Sequence, residues 1–326
     1  MKVFVTGATG FVGKHIVRRL LADGYEVAAL LLPAEPSALD NKGVKIVRGD
    51  ITEPLSLKGK MKGSDAVIHL AGAVGYGQSM DTCVRINRYG TYNVAREAIA
   101  SGVRRFIHFS SVSVYGRVPG IPITEDQSLR KIGDPYGDTK VDAENILKEF
   151  AAEGWLDLTI VRPTVIYGPG DDKFLPKLIE NLRSGKARII GSGENTVDLV
   201  HVNDVADFIA LLLKDERSIG QVYNLTNPYN PSWKEFLSIV AFEVGVPVPR
   251  KHVPYGLAMV LAGLMEFLAS LTGKEAKLTR YAVRVIGRQY YYVTDKALRE
   301  LGFRPRINLG DGIRECVAEY IGQTQA

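Results

Sequence analysis

Hydrophobic residues in the first half of the chain form short runs that alternate with stretches of helical spacing. Val3–Val5 is a β-branched and aromatic run that stops at Thr6-Gly7, and beyond Phe11 apolar residues recur every four positions as far as Leu21. The run predicts a strand and the recurrence an amphipathic helix. By the same criteria we predict strands at Glu26–Leu32, Val44–Val47, Ala66–Leu70, Arg105–Phe109 and Leu158–Val161, and helices at Val84–Ala100 and Tyr136–Ala152.

This alternation predicts an α/β fold with a doubly wound parallel sheet, because strands that alternate with helices are covered by them on both faces. Beyond about Arg162 helical spacing dominates, with predicted helices at Lys173–Ser184, Val205–Lys214 and Trp233–Val244. We therefore divide the chain into a sheet domain at residues 1–165 and a smaller, mostly helical C-terminal lobe at residues 166–326. The run at residues 221–225 is expected to return to the main sheet.

Composition excludes several classes of protein. Hydrophobic residues make up 46% of the chain and charged residues 24%, as in ordinary globular proteins. The net charge of +5 is dispersed, which argues against a nucleic-acid partner. Cys83 and Cys316 form no motif and the histidines show no metal-ligand spacing, so we expect neither disulfides nor a metal. Met1 leads almost directly into the first strand, which predicts a cytoplasmic protein without a signal peptide.

A glycine-rich loop joins the first strand to the first helix. In this loop Gly7 allows a tight turn, Gly10 lets the backbone approach a pyrophosphate, and Gly13 permits close packing of helix and strand. The helix N-terminus adds free N–H groups and a partial positive charge. Residues 1–165 are therefore predicted to be a Rossmann-type NAD(P)-binding domain and residues 166–326 mainly substrate-binding. The residues expected at the phosphates are Gly7, Thr9, Gly10, Phe11, Val12 and Gly13.

Tyr136 and Lys140 open a predicted helix, where their spacing of four places them on one face. A free tyrosine has a pKa of about 10, and a neighbouring ammonium would favour the tyrosinate that acts as a base. Tyr292 and Lys296 have the same spacing but follow an aromatic run and open no long helix, so we interpret them as structural.

The strand before that helix ends in several hydroxyl groups. Ser110 and Ser111 follow Phe109 about 25 residues before Tyr136, a plausible distance for the next strand–helix unit. Because ligands bind at the carboxyl edge of a parallel sheet, a hydroxyl there could polarise a substrate oxygen. Ser111, Tyr136 and Lys140 are our candidate catalytic residues.

These motifs, in this order along nearly the whole chain, resemble the extended short-chain dehydrogenase/reductase family. The resemblance implies that Ser111 is the catalytic hydroxyl, that Lys140 binds the cofactor ribose and that Asn87 maintains the active-site helix. It also implies dimerisation through the helices Val84–Ala100 and Tyr136–Ala152. Further cofactor contacts are expected at Asp50, Ile51, Leu70, Ala71, Gly72, Ser110, Tyr136, Lys140, Pro163 and Val165.

The choice of coenzyme has a weaker signal. The family places an acidic residue at the end of the second strand for NAD, or an arginine just after it for NADP. Here those positions are Leu31 and Leu32, and no basic residue lies nearby in sequence. We expect NAD or NADP, with a slight preference for NAD.

Departures from the family pattern bear on the substrate. Sugar-nucleotide enzymes usually have Asn at position 165 and Arg at 197, where this chain has Val165 and Val197, which cannot make the polar contacts of those residues. Val112 and Ser113 replace the acidic pair of the dehydratases. We therefore expect hydride transfer at the hydroxyl or keto group of an apolar, steroid-like small molecule. The alternatives are an NAD-dependent nucleotide-sugar 4-epimerase and, less favoured, a non-catalytic dinucleotide sensor.

An almost wholly apolar stretch occupies residues 253–271. It could form a helix packed over the substrate pocket, a contact with a membrane surface, or a helix that spans a membrane. We favour the first, because Glu266 and the short length argue against spanning.

Overall fold

A computed structural model describes residues 1–36, 43–74, 78–116, 120–272 and 278–325; Gly75 and Gly77, which the sequence assigns to a loop, lie outside them. The strands are β1 Lys2–Thr6, β2 Glu26–Leu31, β3 Val44–Arg48, β4 Ala66–His69, β5 Arg105–Phe109, β6 Pro122–Ile123, β7 Asp157–Pro163, β8 Val165–Tyr167, β9 Ile189–Ile190, β10 Leu199–His201, β11 Val222–Leu225, β12 His252–Val253 and β13 Tyr291–Tyr292.

Helices separate most of these strands. They are α1 Phe11–Ala22, α2 Pro54–Leu57, α3 Met80–Cys83, α4 Thr91–Ala100, α5 Pro135–Ala152, α6 Leu175–Arg183, α7 Val202–Lys214, α8 Trp233–Val244, α9 Tyr255–Thr272, α10 Arg280–Ile286, α11 Asp295–Leu301 and α12 Leu309–Gln325. A π-helical stretch, Val84–Gly90, joins α3 to α4, and short 3₁₀ helices occur at Val112–Tyr115 and Glu216–Ser218.

Seven parallel strands form the main sheet in the order β11-β7-β5-β4-β1-β2-β3. The winding reverses between β1 and β4, and ligands bind at the carboxyl edge beside such a reversal. The predicted doubly wound α/β fold is thus confirmed. Strand β11 pairs with β7 through Val222 and Ile160, which places the run at residues 221–225 in the main sheet.

Apolar side chains from both faces of the sheet are buried beneath helices. On one face Ile16 and Leu20 of α1 pack with Val205 and Phe208 of α7. On the other face α4 and α5 cover the sheet with residues such as Val94 and Leu147, Leu147 being fully buried. Helix α7 therefore covers one face of the main sheet, although in the sequence it lies in the part assigned to the C-terminal lobe.

A separate hydrophobic cluster holds the C-terminal lobe together. It joins Ile179 of α6, Phe236 and Val240 of α8 and Ile313 of α12. Helices α6 and α8 lie where helical spacing predicts them, but α7 starts at Val202, three residues earlier than predicted, because the His201 side chain caps the N–H of Asn203.

Helix α9 contacts the rest of the protein along one side only. Ala258 and Ala262 are buried against Ile190 and Val283, whereas most of the larger side chains of α9 point outward. The favoured expectation of a helix enclosed over a pocket therefore holds for its inner side alone. Among the described residues, no helix has both the length and the apolar character needed to cross a membrane.

Candidate active site

The loop after β1 contains two glycines, Gly7 and Gly13, that no other residue could replace unless the neighbouring backbone moved. Gly7 has a φ of 71°, and a Cβ at this position would lie 2.7 Å from the backbone nitrogen of Ala71. A Cβ at Gly13 would overlap the carbonyl oxygen of Gly7. Gly10 begins α1 without a side-chain cap, so the first N–H groups of the helix remain available for an anion. This cradle fits the pyrophosphate of a dinucleotide, and Thr9, Phe11 and Val12, all half-buried, complete it.

The ends of β1 and β4 are tied together by a buried histidine that the sequence analysis did not single out. Nδ1 of His69 lies 2.7 Å from the Thr6 hydroxyl and Nε2 lies 2.9 Å from the hydroxyl of Thr91 on α4. Burial and the charge of Lys140 lower the pKa of His69 to about 3, so the ring is neutral. Ala71 donates its N–H to the same Thr6 hydroxyl at 3.2 Å, which fixes the chain beside the glycine loop.

Asn87 links the end of β4 to helix α5, as its expected supporting role requires. The fully buried side chain accepts a hydrogen bond of 2.7 Å from the N–H of Ala73 and donates one of 3.1 Å to the hydroxyl of Thr139. Gly72 lies between them, since a Cβ there would be 3.1 Å from Asn87 Oδ1 and 3.5 Å from Lys140 Nζ. The segment Leu70–Gly72 thus lies on the same side of the site as the ammonium group of Lys140.

Helix α5 presents Tyr136 and Lys140 at the carboxyl edge of the sheet. Asp134 caps the helix by accepting the N–H of Gly137 at 3.3 Å, and Pro135 occupies its first turn. Lys140 Nζ donates a hydrogen bond of 2.7 Å to the carbonyl of Phe109 at the end of β5. The fold therefore anchors the lysine while Tyr136, one turn earlier, remains half-exposed.

The two serines after β5 have different environments. Ser111 accepts the N–H of Ser113 at 3.2 Å and lies close enough to the Tyr136 hydroxyl to lower its pKa, so it reaches the candidate site. Ser110 is buried and donates its hydroxyl to Glu144 at 2.7 Å. The Ser110 hydroxyl is thus engaged inside the protein, and the predicted cofactor contact of Ser110 stays a prediction that only the rest of this residue could satisfy.

Burial dominates the pKa values of the two key groups. It raises the pKa of Tyr136 to about 12, although the hydrogen bond with Ser111 opposes the shift. It lowers the pKa of Lys140 to about 8, although Glu144 opposes that shift. Both shifts disfavour the charged form, but with a pKa of about 8 Lys140 remains mainly an ammonium at neutral pH. In the protein alone, the effect of burial on Tyr136 outweighs this charge, and the pKa of Tyr136 is raised and not lowered. An additional positive charge near the hydroxyl is needed to form tyrosinate.

A buried ionic network that the sequence analysis missed lies directly behind these residues. Arg162 on β7 donates to both carboxylate oxygens of Glu144, at 2.8 and 2.6 Å, and also to the Tyr115 hydroxyl at 2.7 Å. Tyr115 in turn donates to Asn224 of β11 at 2.6 Å. The network joins α5, β7 and β11. Its one signal in the sequence is that Glu144 follows Lys140 at the same spacing of four residues that separates Lys140 from Tyr136.

The end of β2 brings together charged groups that are distant in sequence. Glu35 accepts the N–H of Leu32 at 3.0 Å, and Arg48 of β3 donates to the carbonyl of Leu32 at 2.9 Å and to that of Glu35. No basic residue lies near Leu32 in the sequence, but Arg48 lies beside it in the folded protein. Asp50 uses Oδ1 to accept both the N–H and the hydroxyl of Thr52.

The remaining candidates lie beyond the ends of β7 and β3. Pro163 ends this strand and is buried, and Val165 of β8 is half-buried beside Leu199. Val197 is buried in the hydrophobic cluster of the C-terminal lobe. Ile51 is buried against Gly90, where a Cβ would lie 2.6 Å from its Cδ1.

The Tyr292 and Lys296 pair lies elsewhere. The ring of Tyr292 packs 6.3 Å from that of Tyr115, and the Lys296 ammonium lies 5.2 Å from the centre of the Tyr223 ring. Both side chains thus have structural contacts, in agreement with their interpretation from sequence.

A glycine loop at a helix N-terminus and a Tyr, Lys and Ser group at the same sheet edge define a dinucleotide-binding oxidoreductase fold. The family model of the NAD dependent epimerase/dehydratase family matches residues 3–226, and the chain belongs to this family. It is therefore an NAD-dependent enzyme of the extended short-chain dehydrogenase/reductase type.

Relatives of several activities match over nearly the whole chain. A 2-alkyl-3-oxoalkanoate reductase of Stenotrophomonas maltophilia is 30% identical, covering 98% of this chain and 99% of its own. The sterol-4-alpha-carboxylate 3-dehydrogenase, decarboxylating, of Homo sapiens is 31% identical, covering 97% and 87%. The structure of MoeE5 in complex with UDP-glucose and NAD superposes with a TM-score of 0.78 at 28% identity, covering 100% of both chains.

Proposed function

We propose that this enzyme transfers hydride between NAD and the carbon of a C–OH or C=O group in an apolar alcohol or ketone. The observation that carries the proposal is Lys140, held at 2.7 Å from the Phe109 carbonyl at the end of β5, one helical turn from a Tyr136 hydroxyl that interacts with Ser111. These groups lie at the sheet edge where the glycine loop opens.

The described residues suit the dinucleotide along its whole length. The N–H groups at the start of α1 would bind the pyrophosphate, the half-buried Asp50 would border the adenine, and Lys140 would hold the nicotinamide ribose. The segments Leu70–Gly72 and Pro163–Val165 would border the rest of the cofactor. When bound, NAD supplies the hydride acceptor and, in its oxidised form, a positive charge.

The protein groups would manage the proton at the substrate oxygen. Ser111 would hold this oxygen by a hydrogen bond. The Tyr136 tyrosinate would take the proton from it in oxidation, and the Tyr136 hydroxyl would return it in reduction. Lys140 and the charge of the oxidised cofactor both favour tyrosinate, which opposes the effect of burial on the Tyr136 pKa.

The apolar substrate class rests on the valines and on the relatives. Val197 is buried among hydrophobic side chains, so an arginine that could bind a diphosphate has no counterpart there. Two relatives that match almost the full chain are named for a 2-alkyl-3-oxoalkanoate and for a sterol carboxylate. A nucleotide-sugar 4-epimerase is the second candidate, because the similar MoeE5 structure contains UDP-glucose.

The test measures nicotinamide absorbance with purified enzyme, NAD or NADH, and panels of apolar alcohols or ketones and of UDP-sugars. Net reduction or oxidation with the apolar panel is expected. Tyr136→Phe should lower kcat by roughly 10²–10⁴-fold while dinucleotide binding persists. The matched control Tyr292→Phe should remain close to wild type. Conversion of a UDP-sugar without net change of cofactor, or wild-type turnover of Tyr136→Phe, would refute the proposal.

We also propose the organisation and location of the protein. The division into residues 1–165 and 166–326 is supported by the separate cluster around Phe236, and limited proteolysis would test it. A homodimer through α4 and α5 is supported by the exposed rings of Tyr89 and Tyr92, and sedimentation velocity would test it. A cytoplasmic location is supported by the free thiols of Cys83 and Cys316, and cell fractionation would test it.

A further inference from the structure

The outer side of α9 carries a continuous apolar surface, here called the α9 face. Its members recur at spacings of three and four residues, which places them on one side of the helix. Val260 is 69% exposed and Leu271 is 68% exposed, so these side chains are largely in contact with solvent. The α9 face consists of Leu257, Val260, Leu261, Leu264, Met265, Phe267, Leu268 and Leu271. Contiguous exposed apolar surfaces of this kind mark interaction sites.

The segments that precede and follow α9 in the sequence are rich in basic residues. Between residues 250 and 290 the described residues include five exposed lysines and arginines, whereas Glu266 is the single acidic residue described there, half-buried and paired with Arg280 at 2.6 Å. The basic residues are Arg250, Lys251, Arg280, Arg284 and Arg288. An apolar helical face flanked by positive charge is the pattern of helices that lie in the interface of an anionic membrane.

We propose that the α9 face docks on an anionic lipid surface, with the helix lying parallel to the membrane plane. A helix of 18 residues is about 27 Å long, enough for the whole face to enter the headgroup region. A second copy of the chain fits less well. A symmetric dimer through this face would bring the same basic residues near one another without acidic partners among the described residues.

Helix α9 also borders a cavity that lies next to the segment preceding Tyr136. A cavity of about 270 Å³ is lined on one side by Asp134 and Pro135, which directly precede Tyr136, and on the other by Glu266, Arg280 and Arg284. Docking would bring this opening to the lipid surface, where apolar substrates concentrate. This purpose rests on the proposed function, but docking itself is measured without turnover, so the two can fail separately.

The first test is flotation of the full-length protein with vesicles of phosphatidylcholine plus phosphatidylglycerol, or of phosphatidylcholine alone. The protein should float with the anionic vesicles and lose binding as salt is raised. Leu264→Glu/Leu271→Glu should weaken binding by at least roughly tenfold, because two apolar side chains leave the interface. Arg250→Gln/Lys251→Gln should weaken it several-fold. The matched control is Leu55→Glu/Phe242→Glu, which changes even more exposed apolar residues away from α9 and should float like wild type.

Circular dichroism and dinucleotide binding show that each variant is folded. Wild-type protein that floats with neither vesicle, or equally with both, would overturn the proposal. The proposal would also be overturned if wild-type protein did not bind vesicles and the double variant Leu264→Glu/Leu271→Glu converted a dimer into a monomer. A second copy of the chain would then cover the α9 face. Unchanged flotation of the same variant would also exclude α9 as the docking element.

Discussion

Glu144→Gln should be among the most destabilising conservative substitutions in this chain. The carboxylate is fully buried and accepts hydrogen bonds from Arg162, from Ser110 at 2.7 Å and from Lys148 at 3.0 Å. Glutamine keeps the shape but has one oxygen instead of two and no charge. Each oxygen accepts two hydrogen bonds, so two donor groups must then lose their acceptor, and Arg162, also buried, becomes a cation without its counter-ion.

The expected loss of stability follows from this geometry. Removing one partner of a buried ion pair costs about 3–5 kcal/mol, because an uncompensated charge remains. Domains have a free energy of unfolding of about 5–15 kcal/mol, so the variant should lose a large part of its stability. The pair itself need not be strongly stabilising, since its formation also requires desolvation of both charges.

The pH dependence gives a second readout with a defined sign. Burial alone would raise the pKa of Glu144, but the hydrogen bonds and charge of Arg162 outweigh it and hold the pKa below 4.5. A carboxyl with a lowered pKa stabilises the fold above its unfolded value of about 4.5, and this contribution is lost as the pH falls through the lower folded value. Glu144→Gln should therefore differ most from wild type at neutral pH and least in strong acid.

The assay is urea unfolding followed by circular dichroism, at neutral pH and at several acidic values. Arg104→Gln breaks an exposed ion pair with Asp157 and serves as the control that should unfold near the wild-type midpoint. Glu144→Met/Arg162→Met removes both charges and should recover part of the loss. The reasoning fails if Glu144→Gln unfolds at the wild-type midpoint, or if the double variant is less stable than the single one.

Two further substitutions test other parts of the structure. Burial raises the pKa of Asp198 to about 7, and no described residue donates to its Oδ1, so stability is lost as pH rises from about 4 to 7. Asp198→Asn should therefore raise the free energy of unfolding by up to roughly 4 kcal/mol at pH 8 and much less at pH 4, and a difference independent of pH would contradict this. Gly13→Ala should abolish dinucleotide binding measured by fluorescence titration, because the new Cβ overlaps the Gly7 carbonyl, whereas Gly322→Ala, where a Cβ would meet none of the described residues, should bind normally.

The parts of the fold that the sequence predicts are those with local signals. The glycine loop, the strand β5 and the helix carrying Tyr136 and Lys140 follow from spacing within about 20 residues, and the structure places them as expected. Helix ends are less accurate, as at Val202, because a histidine acts as the cap and histidine is not among the preferred capping residues.

The parts that could not be predicted depend on pairing between distant segments. Arg48 meets the end of β2 only because β2 and β3 are parallel neighbours in register, with Leu31 opposite Arg48. Likewise Ser110 looks like Ser111 in sequence, and only the position of Glu144 on α5 decides which hydroxyl turns inward. Exposure of the α9 face also depends on what α9 packs against, since an apolar helix has the same sequence pattern in a core and at a surface.

The buried ion pair of Glu144 and Arg162 affects the charge of Lys140 and so the environment of Tyr136. Burial favours the neutral forms of both Tyr136 and Lys140, so the site by itself holds no strong base at neutral pH. Glu144 is the group that opposes the shift at Lys140, and Arg162 keeps Glu144 ionised. Loss of Glu144 would therefore lower the pKa of Lys140 further and remove positive charge from the tyrosine. A buried pair that contributes little net stability would then be retained for the charge it maintains one turn away from the reacting hydroxyl.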